Sequence, residues 1–382
     1  MMMPQQINFE RYQRQLILKG FGAAAQQKLQ AARVLVIGAG GLGCPIMQYL
    51  VAAGVGHIGI ADHDKVSVSN LHRQILFGME DVGLPKVEVV KRKMHALNCD
   101  TQVQIWQEKW TQQHCASHFP EFDIIVDATD NFASRYLIND ACVLFGKPLV
   151  FGAVSQFEGQ VAVFNHVMED GLRSVNYRDL FPEPPANGEV LNCAEGGVLG
   201  VLPGIIGSMQ ATEVIKLITG IGSPLANKLW NYNALTQDVF TIGLVAHPDA
   251  QSKIPAAVDA FIQTDYEWLC GVPSASIMEI DATSWLKTYH HHVVVDVREP
   301  HELPRLATLC EQMEMQLIEI PLSALDGQLD AIAGKDVVCV CQAGRRSLQA
   351  ASIILKQNFR GSVCSLKGGV QALVASNHLN YE

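Results

Sequence analysis

The sequence predicts an α/β protein made of two units joined by a proline-bearing linker. Short apolar runs alternate with amphipathic stretches along most of the chain, the pattern of a doubly wound sheet. The 382 residues allow two or three domains at roughly 100–200 residues each. Residues 246–274 interrupt the alternation with three prolines, which separates a unit at 1–245 from one at 275–382.

The elements follow in order. Residues 11–29 read as a helix, with Leu16, Ile17, Leu18 and Leu29 among polar residues. ARVLVIGAG is a buried strand ending in a glycine turn, and CPIMQYLVAAGV is the helix after it. HIGIAD is a second strand, followed by a loop and short helix in KVSVSNLHRQILF. GLPKVEVVKRKMHALN is amphipathic, with Pro85 near its start. TQVQIWQEK alternates like a strand, FDIIVDATD is buried, and a helix runs from about Asn131 to Leu144. KPLVFGAVSQFEGQVAVF supplies two or three strands, and residues 165–192 a crossover loop. GIIGSMQATEVIKLITG is a helix closed by Gly220. The second unit runs through IMEIDATSWLKTY, VVVDVREP, the helix PRLATLCEQM, QLIEIPLSAL, DVVCVCQAGRRSLQAASIILKQ and GSVCSLKGGVQALVAS.

Composition narrows the function. The chain is 48% hydrophobic and 17% charged, which is globular rather than disordered. Its net charge of -10 gives no electrostatic reason to expect a nucleic acid or an anionic membrane as partner. The opening MMMPQQINFERYQRQ lacks a basic region followed by an apolar run. The most apolar stretch, GGVLGVLPGIIGSMQ, is too short to span a bilayer. A cytoplasmic protein is expected, and the ten cysteines fit a reducing compartment. The triplet His290, His291 and His292 leads into VVVDV and reads as a strand edge or loop, with a metal patch as the alternative.

Gly38-Ala-Gly40-Gly41-Leu-Gly43 follows a strand and opens a helix, where backbone N–H groups can approach a phosphate. Asp62 ends the next strand, placed to accept ribose hydroxyls. Alone, these residues favour a nicotinamide enzyme. Arg11, Arg14, Asn70, Arg73, Gln74, Lys86 and Asp130 point elsewhere. Several cations and a carboxylate suit a triphosphate, whose charge they offset, and its magnesium.

The combination RYxRQ, GxGGLG, Asp, SNLxRQ, GxxK and DATDN over residues 9–245 resembles a family related to the ubiquitin-activating enzymes. Its members adenylate the small ubiquitin-like sulfur carriers of molybdenum-cofactor and thiamine synthesis. The resemblance implies a Rossmann-like adenylation domain of ubiquitin-activating type, ATP and Mg2+ as cofactors, and a homodimer. It assigns Gly41 and Asp62 to adenine and ribose, Asn70, Arg73 and Lys86 to phosphates, and Asp130 to magnesium. Arg14 would reach the phosphates of the neighbouring subunit's nucleotide. The partner would be a carrier ending in Gly-Gly, whose terminal carboxylate attacks the α-phosphate.

Relatives in that family commonly hold a structural zinc with two C-x-x-C pairs. Here Ser174-Val-Asn-Tyr177 and Val245-Ala-His-Pro stand at those places, and no C-x-x-C occurs anywhere. No structural zinc is expected, so loop 165–192 is held by packing or stays loose until a partner binds. Cys193, in LNCAEGGVLG, matches a family cysteine that in some members bonds covalently with the carrier; the alternative is a small buried hydrophobe.

In the second unit, Cys341-Gln-Ala-Gly-Arg-Arg-Ser347 follows a strand and opens a helix. Consecutive N–H groups and a helix N-terminus there stabilise a thiolate or persulfide, and Arg345 and Arg346 add charge. Cys339 reads as buried. With VVVDVREPHE, IPLSAL and LKGGVQAL, the segment resembles rhodanese domains over about 276–380. The resemblance makes this unit a small α/β rhodanese-like domain. Cys341 becomes the persulfide carrier and Asp296 and Arg298 its brace. The usual His-Ile-x-Gly-Ala segment is replaced by LATLCEQMEMQLIEI, which alters the donor pocket.

The leading expectation is an adenylyltransferase and sulfurtransferase that gives the carrier a terminal thiocarboxylate. Its sulfur would come from a cysteine desulfurase or thiosulfate. The pathway, whether molybdopterin, thiamine or transfer-RNA thiolation, stays open. The alternatives are a nicotinamide oxidoreductase with a sulfur-handling domain and a scaffold that binds ATP and carrier without turnover.

Overall fold

The structure is a computed structural model that describes residues 7–184, 197–269, 277–288, 291–357 and 359–376. The chain divides into two compact units, with the boundary between Thr264 and Asp265.

In the first unit, Asn8 caps α1 (Phe9–Leu16) by accepting from the Arg11 N–H at 3.0 Å. The single helix expected over 11–29 is two: a turn at Gly20 separates α1 from α2 (Gly22–Ala31). The glycine-rich stretch ends α1 after two turns, although apolar residues recur beyond it. Strand and helix then alternate as expected through β1 (Arg33–Ile37), α3 (Gly43–Ala53), β2 (His57–Ala61), α4 (Lys86–Leu97) and β3 (Gln102–Trp106). They continue through α5 (Gln112–His118), a helix outside the sequence expectation, and through β4 (Ile124–Asp127), α6 (Phe132–Leu144) and β5 (Leu149–Ser155). The hairpin partner β6 (Glu158–Phe164), the short α7 (Tyr177–Leu180) and the long α8 (Leu202–Thr219) follow. Gly220 ends α8 in a left-handed conformation.

Two strands lay outside the sequence expectation: β7 (Lys228–Asn233) and β8 (Val239–Gly243). They complete an eight-stranded sheet of order β3-β2-β1-β4-β5-β6-β7-β8. The pairs from β3 to β5 are parallel and those from β5 to β8 antiparallel. β1 and β4 are apolar runs because helices cover both faces. Ile46, Met47 and Leu50 of α3 are fully buried, each contributing about 1.5–3 kcal/mol of transfer free energy. Residues 246–264 pack with this unit through α9 (Val258–Gln263), whose Phe261 is fully buried.

The second unit contains β9 (Met278–Ile280), α10 (Ala282–Thr288), β10 (Val293–Asp296), α11 (Ala307–Gln312) and β11 (Leu317–Glu319). It closes with β12 (Val337–Val340), α12 (Arg345–Lys356), β13 (Val363–Leu366) and α13 (Gly369–Ala375). Its five strands pair in parallel in the order β11-β10-β12-β13-β9. The period-2 alternation splits each strand between two cores: Val294, Val338 and Leu366 face one, Val293, Val295 and Cys339 the other.

Candidate functional site

The first site forms where sheet order reverses. β1 lies between β2 and β4, and the chain leaves these strands at their C-terminal ends on opposite sides, the switch point where open α/β sheets bind ligands. Gly38 takes φ +103°, and a Cβ there would stand 2.5 Å from the Ala128 carbonyl oxygen, so only glycine fits. The turn then passes Gly40 and Gly41 and enters α3 at Gly43.

Asp62 is tied to this turn. One carboxylate oxygen accepts the Ala39 N–H and the other the Asp64 N–H, both at 2.8 Å. Lys86, buried at the start of α4, places its Nζ 2.7 Å from Asp64 and 3.9 Å from Asp62. Burial works against the Asp64 carboxylate, but its hydrogen bond and attraction to Lys86 hold the carboxyl below the usual range. Asp62, His63 and Asp64 are near enough to share a metal ion, but Lys86 already supplies positive charge there. Arg73 packs its stem against Gly41 and donates to the Ser69 carbonyl at 3.1 Å. Asn70, on the 3-10 turn Val68–Asn70, accepts the Arg73 N–H at its carbonyl, 3.1 Å away. Asp130 stands exposed after β4.

Asp127 was missed by the sequence reading. Burial pushes its carboxyl up, and it accepts the Thr129 N–H at 2.8 Å and hydroxyl at 2.7 Å. It thereby shapes the turn that meets Gly38 and leads to Asp130. Gln210 of α8 donates to the Asp127 carbonyl at 2.8 Å. The glycine turn of Gly38, Gly40, Gly41 and Gly43 is thus joined by Asp62 through Ala39, by Lys86 through Asp62 and Asp64, and by Arg73 at Gly41, while Asn70 precedes Arg73 and Asp130 follows the turn that meets Gly38. Arg14 is not among them. Its helix is anchored by Gln15, which donates to the Ala53 carbonyl at 2.9 Å, at the far end of α3 from Gly43. Eleven helical residues put about 16 Å between those ends.

The crossover segment is held by polar packing as far as residue 184. Arg178, buried, grips Asp140 with two bonds of 2.7 Å. The Tyr177 N–H donates to Asn139 at 2.8 Å, and the Tyr177 ring packs edge-on or tilted among Tyr136, Phe151, Phe164 and Phe181. The His247 N–H donates to Asp179 at 2.8 Å. Segments 174–177 and 245–248, the two cysteine-free places, are therefore joined by α7. Cys193 lies outside the described residues.

The second site opens where β12 ends. Cys341 is 1% exposed, and its thiol points at the Ser347 hydroxyl, 3.4 Å away. Residues 341–344 curl against Gly368 and Gly369. A Cβ on Gly369 would collide with the Cys341 carbonyl, and Gly369 itself has φ +57°. Asp296 and Arg298 are both buried and paired, with Nη2 of Arg298 2.7 Å from Asp296. Arg298 also donates to the Pro304 carbonyl at 2.9 Å and to Gln342 at 3.1 Å, so it reaches the loop itself. Arg346 grips Glu302 with bonds of 2.6 and 2.5 Å. The Arg346 hydrogen bond drives the Glu302 carboxyl down to about 2, against partial burial, and raises the guanidinium in return. Nothing is described of the Arg345 side chain, which stands at the first position of α12. Burial pushes the Cys339 thiol well up, as expected of an inert core cysteine. Sequence reasoning missed Glu302, Gln342, Ser347 and Ser365, which gain meaning only from neighbouring elements.

The ThiF family model matches residues 12–254, more than half of the chain. The chain belongs to the ThiF family. The model of the rhodanese-like domain matches residues 281–376. A sulfur carrier protein adenylyltransferase of Thermus thermophilus is 47% identical over 266 residues, 69% of this chain and 97% of that protein. A Mycobacterium tuberculosis protein named "Probable adenylyltransferase/sulfurtransferase MoeZ" is 41% identical over 374 residues, 95% of this chain and 92% of that one. The latter similarity runs through both units. Among solved structures, E. coli MccB with MccA-N7isoASN aligns with TM-score 0.55 at 22% identity, over 64% of this chain and 74% of MccB. At that identity it supports the fold of the first unit alone.

Proposed function

We propose that this chain is an adenylyltransferase and sulfurtransferase that works on a small ubiquitin-like sulfur carrier. Residues 1–245 of the first unit use ATP to adenylate the carrier's C-terminal glycine. The second, residues 275–382, supplies sulfur through a persulfide on Cys341, and the product is a terminal thiocarboxylate. The observation that carries the reading is the pairing, in one chain, of a cation-ringed glycine turn at a sheet switch point with a cysteine loop at a helix N-terminus.

In this reading Gly41 and Asp62 face adenine and ribose, and both Asp62 oxygens retain a lone pair for a hydroxyl. Lys86, Arg73 and Asn70 turn to the phosphates, Lys86 exchanging Asp64 for the nucleotide. Asp130, an exposed oxygen donor, would hold magnesium, whose charge when bound offsets that of the phosphates. The carrier carboxylate is already ionised, so positioning and charge stabilisation, rather than a strong base, carry the rate. It attacks the α-phosphate, pyrophosphate leaves, and a mixed anhydride remains. The terminal sulfur of the Cys341 persulfide then attacks the acyl carbon and AMP leaves. Attack of a thiol, for which Cys193 is the candidate, on the Cys341 sulfur breaks the remaining S–S bond and frees the thiocarboxylate; the disulfide formed with Cys341 is then reduced by an external dithiol, which restores the cysteine. Arg14, remote from its own chain's cleft, serves the nucleotide of a second subunit in a homodimer. A cytoplasmic setting, and either a cysteine desulfurase or thiosulfate as donor, complete the proposal. Among the described residues no helix is long and apolar enough to cross a membrane.

ATP–pyrophosphate exchange tests the first step. Exchange should depend on a carrier ending in Gly-Gly and fall on the order of 10²-fold in Lys86→Ala. Absence of exchange with every such carrier would refute the assignment.

A further inference from the structure

Two serines lie under the Cys341 loop in positions where an apolar core would be expected. Ser347 and Ser365 are both 0% exposed. Ser365 sits within the buried strand β13, and Ser347 faces it from the first turns of α12. The Ser365 hydroxyl donates to Ser347 Oγ at 2.8 Å, and the Ser347 hydroxyl donates to the Gly344 carbonyl at 2.9 Å. The Cys341 thiol completes the chain by donating to Ser347 Oγ at 3.4 Å.

A hydroxyl has one proton and two acceptor positions. With Cys341 as a thiol, Ser347 uses all three: it accepts from Cys341 and Ser365 and donates to Gly344. A thiolate has no proton to give, so the same arrangement would set a sulfur anion against an oxygen lone pair. Turning the Ser347 proton from Gly344 to sulfur removes that repulsion and supplies a charge-assisted hydrogen bond. The Gly344 carbonyl keeps the Leu348 N–H, 3.4 Å away. Ser365 continues to donate to Ser347, which leaves the Ser347 proton free to face the sulfur.

We propose that Ser347 is a catalytic residue of the sulfur-transfer step, a proton switch that bonds the Cys341 anion, and that Ser365 is the positioning residue that orients it. The inference rests on the assignment of Cys341 as sulfur carrier. The thiol proton leaves to solvent. The anion then forms a bond to the donor's outer sulfur. The bond between that sulfur and the donor's thiol or sulfite breaks, and the leaving group keeps the electron pair. The exchange is a displacement that needs no oxidant.

The test uses the full chain and reads the rate of Cys341 alkylation by iodoacetamide against pH, with the alkylated peptide located by mass. Ser347→Ala should move the midpoint up by about one pH unit or more, the scale of one lost hydrogen bond to an anion. Ser365→Ala should move it up by less, and Ser347→Thr should restore it. ATP–pyrophosphate exchange should stay unchanged in all three variants, which checks that the chain is intact. An unmoved midpoint in Ser347→Ala overturns the proposal. If that variant does not fold, an unmoved midpoint in Ser365→Ala overturns it equally. A Cys341→Ala chain that still transfers sulfur would instead refute the underlying assignment.

Discussion

Glu302 faces Arg346 beside the Cys341 loop, and this contact sets an acid limit on the second unit. Its carboxyl lies at about 2 when folded against an ordinary 4.5. A depressed carboxyl contributes stability that is complete above the ordinary value and is lost as pH falls through the folded one. The second unit should therefore lose stability between pH 4.5 and about 2, and Glu302→Gln should flatten that part of its acid-unfolding curve. An unaltered curve would assign the acid sensitivity to other groups. At this scale the sequence was informative where a residue's role follows from its own turn. The place of Cys341 at a strand end and of the glycines after β1 could be read directly, and the pairing of Asp296 with Arg298 followed from the resemblance. Ser347 and Ser365 could not, because they meet only when β13 is laid beside β12. Glu302 likewise finds Arg346 across 44 positions of sequence.

Among the elements, the two helix-opening turns depend on close backbone approach. Gly369→Ala should displace the Cys341 loop and abolish thiosulfate:cyanide sulfur transfer while leaving ATP–pyrophosphate exchange intact. Retained transfer would show that the loop does not need the close seat. The cysteine-free crossover depends instead on α7. Arg178→Met leaves Asp140 buried without its main cation, and should lower the stability of the first unit by about 3–5 kcal/mol in denaturant unfolding. A chelator should leave that stability unchanged, because ion pairing and aromatic packing carry the brace. The long alternating run from β1 to β5 was legible because burial on both faces imposes near-continuous apolar strands. β7 and β8 escaped notice for the opposite reason. All five residues of β8 are exposed, so no alternation of burial marks it. The break between α1 and α2 was hidden by apolar residues that continue through the turn.

Across the whole molecule, the place of Arg14 bears on assembly. Its helix is fixed at the end of α3 remote from the glycine turn, so a role at a nucleotide requires a second chain. Arg14→Ala and Lys86→Ala chains should each be defective in exchange. Mixed under conditions that allow subunits to trade, they should recover part of the activity, because one site per heterodimer regains both residues. No recovery on proven subunit exchange would place Arg14 outside catalysis. The two-unit plan was readable from the prolines of 246–274, although the stretch to 264 packs with the first unit. The central claim is that one chain both activates the carrier and delivers its sulfur. The most direct measurement is the mass of a Gly-Gly-ended carrier after incubation with the full chain, ATP and a sulfur donor. The account predicts replacement of a terminal oxygen by sulfur, lost in Cys341→Ala although pyrophosphate exchange persists. Thiocarboxylate formed equally well by Cys341→Ala, or no modification by the intact chain with any such carrier, would contradict it.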